Sequence, residues 1–134
     1  MLLVKTSVKP SKIHGLGLFA DEKIPKGTVV WEFDPKFDLV FSEKEVGKMS
    51  EIEQNLIHKF AYFSKRLRKY VYCADGTRFM NHSNTPNTDS VNFSNKQENC
   101  DVANKDIEAG EEITVNYRDI DAYDEKSKEP YLNG

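Results

Sequence analysis

The sequence predicts an α+β domain that is mostly β, and three observations lead there. Short runs rich in Val, Ile, Phe and Tyr recur along the chain, each bounded by Gly, Pro, Asn or Asp. One stretch, following Ser50, places apolar residues three or four apart over several turns, which is helical spacing. Many short strands with one main helix argue for an α+β layout. A chain of 134 residues also suits one core, so a single domain over residues 1–134 is the default.

Leu2 to Val8 predicts the first short strand. Lys9 to Gly17 reads as a turn-rich loop around Pro10 and two glycines, with a brief strand at Leu18-Phe19-Ala20. Ile24-Pro25-Lys26-Gly27-Thr28-Val29-Val30 and Ile107-Glu108-Ala109-Gly110-Glu111-Glu112-Ile113 repeat one pattern, with apolar anchors and a glycine at the same offsets. Each copy predicts a tight turn that feeds a strand. Val29 to Phe33 and Phe37 to Phe41 follow as strands, broken by Asp34-Pro35-Lys36.

A helical region spans about 42–69. Ser42 with Glu45, and Ser50 with Glu53, fit the capping-box pattern, and Gly47 separates them. Ile52, Leu56, Phe60, Phe63 and Leu67 then form one apolar face, predicting a helix over 50–67 that packs on a sheet. Lys65-Arg66-Leu67-Arg68-Lys69 reads as its C-terminal turn, where exposed carbonyls favour cations. Tyr70 to Ala74 returns to strand and Asp75-Gly76 turns the chain. Ser90–Phe93 and Cys100–Ala103 read as a hairpin, and Ile113–Asn116 as the last clear strand. Residues 118–134 form an acidic, polar tail.

Composition narrows the function classes. No apolar run approaches the ~18 residues that span a bilayer, and the N-terminus lacks a signal-peptide pattern, so no membrane partner is expected. Cys73 and Cys100 have neither the number for a disulfide scaffold nor a CxxC spacing for zinc. An intracellular, reduced location is expected: cytoplasmic, or nuclear in a eukaryote. The net charge of −3 speaks against general nucleic-acid binding.

The chemistry-bearing stretch is Arg78-Phe79-Met80-Asn81-His82-Ser83-Asn84-Thr85-Pro86-Asn87, whose polar residues and proline predict an ordered loop. Gly15-Leu16-Gly17 lacks the lysine-serine ending of a phosphate loop and the third glycine of a dinucleotide fold. His14, His58 and His82 are scattered without a carboxylate spacing for a metal triad. Ser83 beside His82 does not make a hydrolase triad, because adjacent side chains seldom converge. Tyr117 ends the last strand, either as a phenol reaching into a cleft or as an edge-strand packing residue.

Taken together and in order, Gly15-Leu16-Gly17-Leu18-Phe19-Ala20, the Arg78–Asn87 loop, and Asp106 to Tyr117 resemble the SET-domain family of protein lysine methyltransferases. The resemblance runs over residues 7–119. It implies a fold of small β-sheets around a pseudoknot, in which a late segment threads beneath an earlier loop, with one main inserted helix. It implies S-adenosyl-L-methionine as cofactor, held along Gly15, Leu16 and Gly17 and by Arg78, Asn81, His82 and Tyr117. Tyr117 would be catalytic, positioning the amine and the transferred methyl, and Tyr72 and Val115 would line the substrate channel. The cysteine-rich segment that often follows the domain is absent, so no metal is implied. The implied partner is a lysine-bearing protein, a histone or another basic chain. Val115, where many members carry Phe or Tyr, leaves room for more than one methyl group.

Two other functions stay open at this stage: a catalytically silent SET-like module holding cofactor or a basic peptide, and an unrelated interaction domain. The tail is expected to cover the site, with Tyr123 or Tyr131 as anchor and Asp119, Asp121, Asp124 and Glu125 facing the substrate.

Overall fold

The computed structural model describes residues 1–123, so Asp124, Glu125 and Tyr131 lie outside the described residues. Ten short strands form three small sheets. The first contains β1 (Thr6–Pro10), β2 (Leu16–Ala20), β7 (Asn81–His82) and β10 (Glu112–Val115), in the order β1-β2-β10-β7. Its β10–β7 pair is parallel and the rest antiparallel. The second contains β3 (Val29–Trp31), β8 (Thr88–Val91) and β9 (Cys100–Ala103), with β9 central. The third contains β4 (Asp38–Phe41), β5 (Tyr62–Phe63) and β6 (Tyr70–Cys73), with β6 central. Helices α1 (Glu43–Gly47), α2 (Glu51–Phe60) and α3 (Tyr117–Ile120) complete the described chain, with one 3-10 turn at Gly76–Phe79.

The repeated turn-and-strand pattern proves to be a pair in space. Ile24 and Ile107 exchange both backbone hydrogen bonds, at 2.7 and 2.8 Å, and both side chains are buried. Gly27 and Gly110 adopt φ of 90° and 88°, a left-handed turn that a side chain would strain. Around this pair Leu18, Val30, Met80, Ile113 and Val115 form one buried cluster.

Residues 81–88 hold β10 along its length, which fixes the polar loop. The Ser83 N–H donates to the Val115 carbonyl at 3.0 Å. Asn87 donates its side-chain amide to the Glu112 carbonyl at 2.8 Å and accepts from the Thr114 N–H at 2.8 Å. The Thr88 hydroxyl donates to the Thr114 carbonyl at 2.7 Å. Asn81, His82, Asn87 and Thr88 are therefore buried with hydrogen bonds made, as burial of polar groups requires, while Asn84 and Thr85 stay exposed.

Four expectations need correction. The first strand begins at Thr6, not Leu2, and runs through Pro10 into the stretch read as a loop; Leu2 instead bridges to Trp31. The helix over 50–67 stops at Phe60. Ala61 turns extended, and Tyr62-Phe63 pair with Val71-Tyr70 as a hairpin whose turn needs Arg68 at φ 55°. Phe63 and Leu67 matched the helical period only by coincidence: one is a buried strand residue, the other lies in the turn. The basic run 65–69 is thus a hairpin turn rather than a helix end. The predicted apolar face is also displaced, since Ile52 is 82% exposed while Ile57 is buried. Both capping boxes are present as predicted.

Candidate functional site

Two cavities meet at one tyrosine. The larger, about 450 Å³, is bounded by the β1–β2 loop, the end of α2 and the 3-10 turn. Its walls include Gly15, Leu16, Phe60, Arg78, Asn81 and Tyr117. The smaller, about 50 Å³, lies on the other side and is lined by Trp31, Tyr62, Glu98, Asp101 and Val115. Phe60, Arg78 and Tyr117 border both.

Asn81 organises the larger cleft. Its side-chain amide donates to the His14 carbonyl at 3.0 Å, the Leu16 carbonyl at 3.1 Å and Glu112 Oε2 at 2.9 Å. Glu112 also accepts from the Ser11 hydroxyl at 2.7 Å through Oε1. The loop 11–16 is therefore tied at several points to β7 and β10. Gly17 permits this close approach: a Cβ there would lie 2.4 Å from Glu112 Oε2 and 3.0 Å from Ser11 Cβ. Gly17 and His82 are not among the lining residues; Gly17 serves as clearance for Glu112. Sequence reading missed Glu112, His14, His58 and Phe60. The paired acids after Gly110 were the available signal for Glu112.

His82, 3% exposed, is turned toward Tyr117. The Tyr117 N–H donates to His82 Nδ1 at 3.1 Å, which leaves the imidazole proton on Nε2, facing Asn84 Oδ1 at 2.9 Å. The ring is thus held as a neutral tautomer that orients the start of α3. Asn116 caps this helix through the Arg118 N–H at 3.0 Å. The Tyr117 hydroxyl donates to the Met80 carbonyl at 2.7 Å. Tyr117 is therefore positioned at both its backbone and its phenol, and it heads a helical turn rather than an edge strand.

A family model for the SET domain matches residues 15–118. The chain belongs to the SET-domain family. The SET fold is matched by a crystallised Plasmodium falciparum protein described as a histone methyltransferase. The two share 19% identity and a TM-score of 0.60, over 87% of this chain and 95% of that one. Among curated proteins no match is found.

Within this SET domain Tyr72 lines neither cavity. Side chains alternate along a strand, and Cys73 takes the cavity-facing position of β6. Tyr72 faces the other way, beneath the Arg78 guanidinium at 6.0 Å. The ring that reaches the smaller cavity comes from Tyr62, whose hydroxyl donates to Glu98 Oε2 at 3.0 Å. Burial, then the Glu98 carboxylate, hold the Tyr62 phenol well above its ordinary pKa. Arg78 stands between the cavities, over the Phe79 ring at 4.8 Å and the Phe60 ring at 5.7 Å.

The near end of the tail packs on the SET domain. Tyr123 stacks on Phe63 at 4.2 Å, and Asp121 is buried, accepting the Tyr123 N–H at 2.9 Å. Asp121 therefore serves the chain's own fold rather than facing a substrate, whereas exposed Asp119 lines the smaller cavity. Among the described residues no group of His, Cys, Asp and Glu could hold a metal, and no helix is long and apolar enough to cross a membrane.

Proposed function

We propose that this SET domain is a protein-lysine N-methyltransferase using S-adenosyl-L-methionine. The observation that carries the reading is the pair of cavities sharing Tyr117, one suited to a small molecule and one narrow enough for a single side chain. A cleft of about 450 Å³ falls within the range of small-molecule sites, roughly 300–1,000 Å³. Its lining fits the cofactor's chemistry: Phe60 and Phe79 present rings to a base, and Arg78 and Asn81 present polar groups beside backbone amides. The bound cofactor would supply an electrophilic methyl on a sulfonium.

The chain's own residues would do the rest. Phe60, Val115 and Trp31 make the narrow side partly apolar, which disfavours an ammonium there. Free lysine, with a pKa of about 10.4, needs about 4.6 kcal/mol to deprotonate at pH 7. Tyr117, whose hydrogen goes to Met80, turns oxygen lone pairs to the junction, where they orient an amine N–H or a polarised methyl. Alignment of this kind contributes several kcal/mol to rate.

A basic protein fits the acidic chain, and the Plasmodium falciparum neighbour supports a histone among such substrates. Two buried free thiols, Cys73 and Cys100, suit a reduced intracellular setting. With valine at 115, more than one methyl group is expected on the product, read by mass spectrometry under excess cofactor. A product that stops at one methyl would assign the closing role to Tyr62.

Incubation with methyl-labelled S-adenosylmethionine and a mixture of basic proteins tests the reading. Label on lysine is expected. Cofactor binding without label would reduce the chain to a binding module, and neither would overturn the proposal.

A further inference from the structure

The smaller cavity carries polar groups that the reading above leaves without a task. Asp101, on β9, lies deep in the molecule yet keeps some accessible surface where it lines the cavity. Among the described residues its carboxylate has no hydrogen-bond donor and no ion-pair partner. Glu98, 3% exposed, lines the same wall and is occupied by the Tyr62 hydroxyl and by the Asn99 N–H at 2.7 Å.

Among the described residues, three buried atoms of the lining also find no partner: Trp31 Nε1, Arg66 Nη1 and Asn99 Oδ1. Trp31 is 2% exposed, so bulk solvent does not reach its N–H. Buried donors and acceptors left unpaired around a polar space point to ordered water. One water needs roughly 10–15 Å³ of such space, so about 50 Å³ admits a few.

We propose that Asp101, through water held by Trp31 Nε1 and Asn99 Oδ1, accepts the proton that the target lysine loses before methyl transfer. This rests on the lysine-methyltransferase reading. In the step, one N–H bond of the ammonium breaks and its electron pair stays on nitrogen. The proton passes to water as that water gives one to the Asp101 carboxylate. A neutral amine and a carboxylic acid remain, and the acid later returns its proton to solvent.

Competing acceptors are occupied or misplaced. His82 is committed to Tyr117 and Asn84, His14 and His58 border the other cavity, and Asp119, which also lines this one, is exposed to solvent rather than enclosed. Tyr62 and Cys73, raised chiefly by burial, keep their protons, and Lys65, Arg66 and Arg78 are cations. Burial, then Glu98, push the Asp101 carboxyl up to about 7 against the N-terminal ammonium, which suits a base working near neutrality.

Asp101→Asn tests the assignment, because it preserves shape and removes the base. At pH 7 the methylation rate should fall at least tenfold with cofactor affinity unchanged. In the wild type the rate should drop below about pH 7, as Asp101 protonates. In the variant that limb should move to alkaline pH, where solvent deprotonates the amine. Independently of turnover, 13C carboxyl NMR should show one aspartate titrating near neutrality and missing from the variant. An active wild type whose variant keeps its rate and pH profile would overturn the proposal alone. So would an Asp101 titrating in the ordinary carboxylate range. A wild type inert toward every basic protein would overturn this step and the methyltransferase reading together.

Discussion

The two cavities beside Tyr117 are built in opposite ways. The wide one is made from backbone and from three segments that carry recognisable motifs, with Asn81 and Glu112 pinning the loop 11–16 against β7 and β10. The narrow one gathers single side chains from positions as far apart as Trp31, Tyr62, Glu98, Asp101 and Val115. The first is satisfied internally, with donors and acceptors matched. The second leaves an indole N–H, a guanidinium N–H and an amide oxygen without partners among the described residues. Binding needs a pre-formed cradle, whereas chemistry needs polar groups held short of satisfaction until a substrate arrives.

The sharpest way to break the comparison is at the shared wall. Tyr117→Phe keeps the ring, so the cradle should stay folded and still bind the cofactor by calorimetry. Methyl transfer should fall at least a hundredfold, corresponding to about 2.7 kcal/mol. A rate within a few-fold of wild type would deny Tyr117 its place between the cavities.

Next in size is the stability stored on the narrow side. A carboxyl held at about 7 in the folded chain and near 3.9 when unfolded binds more protons folded than unfolded across that interval. Stability from this group is therefore greatest at low pH and declines as pH rises through 7. Asp101→Asn should stabilise the protein by roughly 2–3 kcal/mol at pH 8, since the group keeps some solvent access, with the gain shrinking toward pH 4. Denaturant unfolding at both pH values measures it; equal gains at each would contradict the assigned charge cost.

On the cradle side, Asn81→Ala removes three donor contacts at once, one of them to a carboxylate. It should weaken cofactor binding by about 2 kcal/mol while the fold persists. Calorimetry alongside circular dichroism separates loss of binding from loss of fold. The smallest effect is expected far from both cavities. Ser50→Ala removes the N-cap of α2 and should cost about 1 kcal/mol of stability, leaving cofactor affinity alone. A change in affinity would show that α2 transmits strain from its start to Phe60.

The sequence by itself determined a good deal. The capping boxes at Ser42 and Ser50 were legible because each is a contact over three residues. The matched turns at Gly27 and Gly110 were legible because left-handed backbone selects glycine locally. The three motifs and their order fixed the family. Only the tertiary structure decided that Ile24 and Ile107 pair, that α2 yields to a hairpin at Ala61, and that Tyr62 rather than Tyr72 reaches the narrow cavity. The physical reason is common to all three. Helical periodicity reports that Phe63 and Leu67 want burial, but not which surface buries them. In the same way, strand alternation decides which of Tyr72 and Cys73 turns toward the cavity only once β6 is paired between β4 and β5. Asp101 is the extreme case: a single aspartate in a hairpin strand reads as solvated until Trp31, Tyr62 and Val115, distant from it along the chain, close a cavity around it.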